Sequence, residues 1–242
     1  MSHDELGEYI ESLDDIKNKH VIASFENDVV EQKAELPEEY RPILYSANNE
    51  YKSYLKKRNV SDEDSLFYRI GYCNTGKFSG RVIFPSFDDA GDLNFFTGRK
   101  ISKNIDGQNY MTCSSTKDII FNDCLIDWTL PIIIVEGPFD MLSVGRNAIP
   151  LQGKMLRPSS KLFKKLVKSG SRVYVALDKD AKGDQISIEH MLYKYCVDVR
   201  GVYLDNFKDF GEMNRTEIFQ ALKNAKPYNQ IERVKLLCEL YT

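Results

Sequence analysis

The chain has 242 residues, of which 42% are hydrophobic and 29% charged, and its formal net charge is −3. That length allows one large domain or two small domains with a proper core, and the slight acidity excludes a strong overall attraction to nucleic acid. Neither a membrane-length apolar run nor a signal peptide is apparent, and five scattered cysteines form no CxxC pair. We therefore expect a soluble cytoplasmic protein without a membrane partner, a disulfide framework or a structural zinc site.

Residues 1–40 are rich in acids and predict an arm that carries one short helix. Apolar residues recur there at helical spacing, namely Leu6, Tyr9, Ile10, Leu13 and Ile16. This spacing is typical of an amphipathic helix. The arm is interpreted either as a solvated segment with one docked helix or as a tether to another module.

Residues 41–130 mix helical patterns with short antiparallel strands. The predicted elements are a helix over 50–57, a helix opened by Ser61 and ending at Phe67, and strands over 81–85 and 93–97. Ser61 with Asp64 three residues later resembles a capping box, and the stretch Gly71-Tyr72-Cys73 is expected to break this helical pattern. The run Asp88–Asp92 between the two strands has a composition typical of a turn. This part predicts a small α+β domain.

From Pro131 onward, strand patterns alternate with helical patterns, which predicts a parallel sheet with crossover helices. The predicted strands cover 132–135, 148–152, 172–177 and 199–204. The predicted helices cover 138–147, 158–168, 183–195, 212–223 and 230–241. The fold class is therefore α/β, with a parallel-sheet domain over 131–225 after the smaller α+β domain, and a C-terminal helical segment over 226–242.

Acidic residues follow two of these strands directly. Glu136 ends the apolar run Ile132–Val135, and Asp178 and Asp180 end the run Val173–Leu177. Asp209 lies in the loop after a third strand. In extended backbone, residues two apart face the same side, and open α/β sheets place their sites at the carboxyl ends of strands. We therefore expect the four acids to meet at one sheet edge.

Such a group of carboxylates predicts a divalent metal site. Hard oxygen ligands suit Mg²⁺ or Mn²⁺, and these ions bridge to phosphate oxygens in phosphoryl and nucleotidyl transfer. Glu136 would hold one ion or act as a general base, and the residues leave both roles open. The alternative is that each acid only caps the helix that follows it.

The same residues resemble the two motifs of the TOPRIM domain. The motifs are Glu136-Gly137-x-Phe139-Asp140 and Leu177-Asp178-x-Asp180-x-x-x-Gly183, and Lys208-Asp209-Phe210-Gly211-Glu212 is similar to a later acidic motif of primases. The resemblance implies that Glu136, Asp178 and Asp180 are catalytic and bind metal. It implies a further metal position at Asp209, and it extends to Asp140 and Glu212.

The earlier half resembles the segment that precedes the catalytic core of DnaG-type primases of bacteria or phage. The matching stretches are Tyr54–Asp64, Tyr68–Tyr72, Gly80–Pro85 and Gly98-Arg99, so the resemblance runs from about Ser46 to Glu217. It implies synthesis of short RNA primers from ribonucleoside triphosphates on single-stranded DNA. It further implies a nucleotide and template groove that is lined by Arg69, Arg81 and Arg99.

Two departures from the family pattern affect partners and nucleotide binding. The family carries an N-terminal zinc-binding module, and this chain shows none, so we expect such a module, like a replicative helicase, to be supplied elsewhere. The family also places a lysine before an aromatic residue where this chain has Asn109 before Tyr110. That substitution puts one contact to the nucleotide in question.

The clearest basic cluster begins at Lys154, which we also assign to nucleotide or template binding. Its other members are Arg157, Lys161, Lys164, Lys165, Lys168 and Arg172. Four of its lysines share one helix face. That face is either an ordinary solvated face or a stripe that follows the phosphates of a nucleic-acid strand.

Three functions therefore compete. The first is a primase catalytic core that needs Mg²⁺ or Mn²⁺. The second is a metal-dependent TOPRIM nuclease, which needs no nucleoside triphosphate. The third is a non-catalytic replisome subunit that retains the fold, and Asn109 and the missing zinc module favour it.

Overall fold

The computed structural model describes residues 34–45, 49–204, 207 and 209–240. All of them belong to one compact unit that spans Lys33–Thr242. The helix predicted within residues 1–40 lies outside the described residues. Within the described part of the chain, no helix is both long enough and apolar enough to cross a bilayer.

The first sheet contains five antiparallel strands that follow each other in chain order. The strands are β1 (Arg41–Pro42), β2 (Gly71–Cys73), β3 (Arg81–Phe87), β4 (Leu93–Lys100) and β5 (Tyr110–Thr112). β3 and β4 form the predicted hairpin, and Asp88 closes its turn by accepting hydrogen bonds from the backbone N–H groups of Ala90 and Asp92. The predicted strands are therefore confirmed, although both are longer than the pattern indicated.

Two helices precede this hairpin, α1 (Asn49–Lys56) and α2 (Asp62–Phe67). The predicted capping box at the start of α2 is present. The Ser61 hydroxyl accepts from the Asp64 N–H at 3.0 Å, and the Asp64 carboxylate accepts from the Ser61 N–H at 3.1 Å. This reciprocal pair satisfies two of the amide donors that a helix leaves open at its N-terminus.

The second sheet has the order β10-β9-β8-β6-β7. Its strands are β6 (Ile132–Val135), β7 (Ala148–Pro150), β8 (Val173–Ala176), β9 (Val199–Gly201) and β10 (Lys226–Pro227). Four of them are parallel, as predicted, and β10 joins the edge antiparallel to β9. β6 is buried along its whole length, which explains its continuous apolar sequence.

Five helices connect or follow these strands. They are α3 (Pro138–Val144), α4 (Lys161–Ser169), α5 (Lys182–Lys194), α6 (Arg215–Lys223) and α7 (Gln230–Leu240). α3 begins with Pro138, whose missing N–H costs nothing there, and α4 ends at Gly170 with a φ of 67°. The structure starts α4 and α6 three residues later than predicted, because Ser160 and Asn214 are the residues that cap them.

The strands β2 and β5 were not predicted, although the helix α2 ends before Gly71 as expected. Each has only three residues, which is too short to show a period, and Gly71 resembled a helix breaker. In the structure Gly71 serves a close approach, since a Cβ there would lie 2.1 Å from the ring of Tyr40. The glycine thus allows an aromatic ring to cover the strand.

One hydrophobic core joins the two sheets. Phe84 of β3 meets Phe139 of α3 with ring centroids 5.1 Å apart, and both side chains belong to the cluster that includes β6. The antiparallel sheet therefore packs beside the carboxyl ends of β6 and β8. This packing leaves a cavity between the two sheets, and four of the predicted acids line it, namely Glu136, Asp140, Asp178 and Asp209.

Candidate active site

Three carboxylates from two strand ends come together. Glu136 directly follows β6, Asp178 follows β8 by two residues, and Asp180 lies in a 3₁₀ turn over Lys179–Ala181. One oxygen of each lies within 4.8 Å of one oxygen of the other two. The structure thus brings the three predicted catalytic residues into one group.

The reason given for the proximity of Asp178 and Asp180 is wrong. The backbone is not extended over these residues, because the 3₁₀ turn begins immediately after Asp178. The turn folds the chain back, so Asp180 returns to the site through curvature and not through the alternation of a strand. A sequence pattern for the strand ending at Ala176 could not show where this turn begins.

Glu136 carries the clearest sign that a cation belongs here. Its Oε2 is buried and has no hydrogen-bond partner among the described residues. Burial raises the pKa of Glu136 to about 7, and the negative charge of Asp178 acts in the same direction. A buried carboxylate without a partner is costly, and a metal ion would supply the missing charge.

The spacing of the three acids also fits one small divalent ion. Oxygen ligands on opposite sides of Mg²⁺ are about 4.2 Å apart, twice the usual bond length. Only one pair among three ligands can lie on opposite sides, and adjacent ligands are about 3.0 Å apart, so the group would contract by up to about 1.8 Å to bind such an ion. Glu136, Asp178 and Asp180 are therefore the residues that would hold it.

Asp140 and Asp209 lie near this group but outside it. Both line the same cavity. Asp140 accepts a hydrogen bond from the Gly137 N–H at 3.1 Å, so it caps α3, and burial followed by Asp178 and Asp209 raises its pKa to about 7. Glu212 is exposed and lies outside the cavity wall that the described residues define.

Lys154 contacts Asp180, the exposed member of the carboxylate group. Its Nζ donates a hydrogen bond to Asp180 Oδ2 at 2.9 Å, and it lowers the pKa of Glu136. The contact with Asp180 raises the pKa of Lys154, so the amine stays charged. This lysine of the predicted basic cluster therefore reaches the site. Another member, Lys165, instead pairs with Asp123 at 2.9 Å.

The cavity has a volume of about 550 Å³, and it has two walls of different charge. Glu136, Asp140, Asp178 and Asp209 form one wall. Cations and polar groups from the first sheet and the preceding segment form the other, namely Arg58, Thr97, Arg99, Gln108, Asn109, Tyr110, Thr112 and Lys117. A polyanion that binds a metal on the acidic wall would meet arginines on the facing wall.

Aromatic rings hold the arginines of this second wall. The guanidinium of Arg99 lies 4.7 Å from the Tyr110 ring centroid, and that of Arg58 lies 4.8 Å from the Phe139 centroid. The Nε of Arg99 is buried and has no hydrogen-bond partner among the described residues. Both groups are therefore positioned by stacking, and Arg99 retains a buried donor for a ligand.

The three arginines expected from the resemblance have different positions. Arg99 lines the cavity. Arg81 is 3% exposed and donates hydrogen bonds to the carbonyls of Gln108 and Asn109 at 3.0 and 3.3 Å, so it holds a loop that carries wall residues. Arg69 is exposed, lies 4.5 Å over the ring of Phe87, and is outside the wall formed by the described residues.

Sequence reasoning missed Arg58 and Gln185. The signal for Arg58 was available, because it lies inside the segment Tyr54–Asp64 that carried the primase resemblance. Gln185 gave no signal, because it resembles any polar residue on a helix. Its Oε1 accepts from the Leu177 N–H at 2.9 Å, and its Nε2 donates to Glu189 and to the Val202 carbonyl. Gln185 thus ties α5 to the backbone directly before Asp178.

The comparisons with known proteins agree with this geometry. The family model described as Toprim domain matches residues 131–206, so this segment is a Toprim domain. Toprim domains bind divalent metals, which agrees with the three carboxylates at the strand ends. No curated protein sequence matches the chain.

Solved primase structures have a similar fold. The Aquifex aeolicus primase with zinc-binding and RNA polymerase domains has a TM-score of 0.64 and 20% identity, and the match covers 75% of this chain and 57% of that one. A DnaG catalytic domain bound to single-stranded DNA has a TM-score of 0.63 and 16% identity, with 78% and 75% covered. A Pseudomonas aeruginosa primase domain has a TM-score of 0.61 and 20% identity, with 78% and 76% covered. The chain therefore has the fold of DnaG catalytic cores and spans just over half the length of the Aquifex protein.

Proposed function

We propose that this chain is the catalytic core of a DNA primase and joins ribonucleotides on a single-stranded DNA template. The observation that carries the proposal is a group of three carboxylates, Glu136, Asp178 and Asp180, of which the first two line the same cavity as the stacked arginines. The acids suit a divalent ion, and the arginines suit the phosphates of a nucleoside triphosphate. The shared fold with DnaG catalytic cores supports the same activity.

The proposed mechanism assigns a task to each wall. Glu136, Asp178 and Asp180 would hold Mg²⁺ or Mn²⁺, which supplies charge neutralisation for an in-line transfer with loss of pyrophosphate. Arg99 and Arg58 would bind the triphosphate from the facing wall. Lys154 would balance the charge of Asp180, and Asp209, which lines the same cavity, would provide a further carboxylate for the ion.

The partners are proposed from the similar proteins. A similar fold is present in the RNA polymerase domain of Mycobacterium tuberculosis DnaG, which was solved in complex with a double-stranded DNA oligomer that has a 6-nucleotide overhang. We extend DNA binding to this chain, with a replicative helicase and a separately supplied zinc-binding module as further partners. The proposed domains are an arm over 1–40, an α+β subdomain over 41–130, the Toprim domain extended to 225, and a C-terminal helical segment over 226–242.

Primer extension tests this function without requiring the protein to find a start site. A labelled RNA strand is annealed to a longer DNA template and incubated with ribonucleoside triphosphates and Mg²⁺ or Mn²⁺. Extended RNA that disappears with Asp178→Asn supports the polymerase. Shortened strands without added triphosphates would support the nuclease instead, and metal binding without any change in either strand would support the non-catalytic subunit.

A further inference from the structure

A second cavity lies at the outer edge of the Toprim sheet, and the proposed mechanism does not use it. It has a volume of about 510 Å³ and is bordered by β9, β10 and α7. Its wall contains the four basic residues Lys182, Lys226, Arg233 and Lys235 and a single acid, Glu232. A wall with this balance is unexpected in a chain whose net charge is −3.

The lysines of this cavity are not neutralised by neighbouring acids. Among the described residues, the ion pairs involve other cations, and none of them includes Lys182, Lys226 or Lys235. Like charges around one cavity repel each other, and an anionic ligand would remove that repulsion. The three lysines come from α5, β10 and α7, so the fold itself brings them together.

Arg233 provides an independent sign of a ligand. The side chain is buried, and its Nε donates to Glu189 Oε2 at 2.5 Å. Its Nη2 is also buried, and it has no hydrogen-bond partner among the described residues. An unsatisfied buried donor destabilises the fold, and an acceptor oxygen that reached it would remove that cost.

Two of the cations, Arg233 and Lys182, lie over the ring of Tyr203. Its ring centroid lies 4.8 Å from the Arg233 guanidinium carbon and 5.8 Å from Lys182 Nζ. Its hydroxyl donates to Glu189 at 2.9 Å, so the ring is fixed. The arginine and this lysine are therefore held on a rigid support, and the exposed lysines Lys226 and Lys235 stand at the cavity's solvent side.

We infer that this cavity binds a phosphate group carried by a nucleotide or by a nucleic-acid strand. A phosphate offers several acceptor oxygens to separate donors, and the volume is sufficient for a nucleotide. Lys182 follows Asp180 by two residues, so the cavity adjoins the loop of the catalytic carboxylates. Binding here needs no metal and does not depend on the proposed polymerase activity.

The test compares two double variants that remove the same charge. Lys226→Gln with Lys235→Gln alters the cavity, and Lys77→Gln with Lys194→Gln removes two exposed lysines outside its wall. Inorganic pyrophosphate, ATP and an oligodeoxythymidylate are titrated into each protein by calorimetry in EDTA, so that metal-dependent binding is absent. We expect at least one probe to bind about 10-fold more weakly to the first variant, and within 2-fold of the unaltered protein to the second.

The three probes identify the source of the phosphate. Binding of pyrophosphate or ATP indicates a free phosphate ligand, whereas binding of the oligonucleotide alone indicates a strand. For a strand, the loss of two contacts lowers the slope of log K against log salt concentration by about 1.4, at roughly 0.7 per contact. Lys182→Gln, on a different element, must weaken the same probe. The inference is overturned if no probe binds, or if both double variants weaken binding equally.

Discussion

The two walls of the central cavity differ in how far neighbouring groups already position their charged side chains. On the acidic wall, Glu136 has a buried oxygen without a partner and a pKa raised to about 7. On the basic wall, the guanidinium groups of Arg58 and Arg99 already lie against aromatic rings. Glu136 therefore has no group that balances this oxygen, while stacking already orients both guanidinium groups, although Arg99 Nε also lacks a hydrogen-bond partner among the described residues. We therefore expect metal binding to shift the positions of the acidic side chains more than nucleotide binding shifts those of Arg58 and Arg99.

The largest expected effect comes from Asp178→Asn. The change removes a charge from the metal site and keeps the shape of the side chain, so we expect extension to fall by at least about 1,000-fold, or roughly 4 kcal/mol of transition-state stabilisation. The metal-free protein should melt at the same or a slightly higher temperature, because one repulsive charge is gone. Rates of primer extension and thermal melting measure the two effects.

Asp89→Asn is the matched control for this variant. Asp89 is an exposed acid in the β3–β4 turn, and its replacement also removes one negative charge. Activity of Asp89→Asn should remain at the unaltered level. Substantial extension by Asp178→Asn would contradict the role of the acidic wall.

On the basic wall, Arg99→Met should raise the KM for ribonucleoside triphosphates by about 10- to 100-fold. A hydrogen bond to a charged group contributes about 1.5–3 kcal/mol, and Arg99 lines the cavity. Because the Arg99 side chain stacks on Tyr110 but is only partly buried, the melting temperature should change little. Steady-state kinetics at varied triphosphate concentration separate KM from kcat.

Arg81→Met tests whether Arg81 binds the nucleotide or only stabilises the neighbouring loop. Arg81 is buried and donates to three backbone carbonyls of one loop, at Asp106, Gln108 and Asn109. Its loss should therefore lower the free energy of unfolding by about 2–4 kcal/mol, which chemical denaturation measures. If Arg81→Met raised KM without loss of stability, the assignment of Arg99 and Arg81 to different roles would be wrong.

Gln185→Met tests whether the metal site depends on the hydrogen bond that Gln185 accepts from the Leu177 N–H. The variant leaves the Leu177 N–H without its acceptor, directly before Asp178, so we expect Mn²⁺ affinity to fall about 10-fold and stability to fall by about 1–3 kcal/mol. Ile188→Val, at a buried position of the same helix, should cost about 0.5–1.5 kcal/mol and leave Mn²⁺ affinity unchanged. Equal Mn²⁺ affinities in the two variants, measured by calorimetry, would show that Gln185 is only structural.

The smallest effect is a pH dependence. The raised pKa of Glu136 means that the folded protein keeps a proton which the unfolded chain releases near 4.5, so stability without metal should fall as pH rises from about 4.5 to about 7. Metal competes with this proton, so the rise in melting temperature on adding Mg²⁺ should be larger at pH 8 than at pH 6. In Glu136→Gln this difference should shrink. A stabilisation by Mg²⁺ that is equal at both pH values in the unaltered protein would contradict the proposed competition.

The acidic wall could be predicted from the sequence because its residues follow strands directly. A buried parallel strand shows as a continuous apolar run, and the acid after that run marks the sheet edge. Glu136 and Asp178 belong to this kind. Asp180 was placed correctly for a wrong reason, since the 3₁₀ turn that carries it leaves no mark in the pattern.

The basic wall was less accessible from the sequence because it depends on packing between the two sheets. The resemblance named Arg69, Arg81 and Arg99 alike, yet only Arg99 lines the cavity. Which arginine faces a ligand is decided by its neighbours, such as the ring of Tyr110 for Arg99 and loop carbonyls for Arg81. Such contacts join residues that are distant in sequence, and no local period encodes them.

The central claim is that Glu136, Asp178 and Asp180 together bind a divalent ion. Anomalous diffraction from crystals soaked in MnCl₂ tests it most directly. We predict a manganese peak in contact with carboxylate oxygens of all three residues, and no peak there in crystals of Asp178→Asn. A density map without manganese at this position, or with the ion bound only elsewhere, would contradict the account.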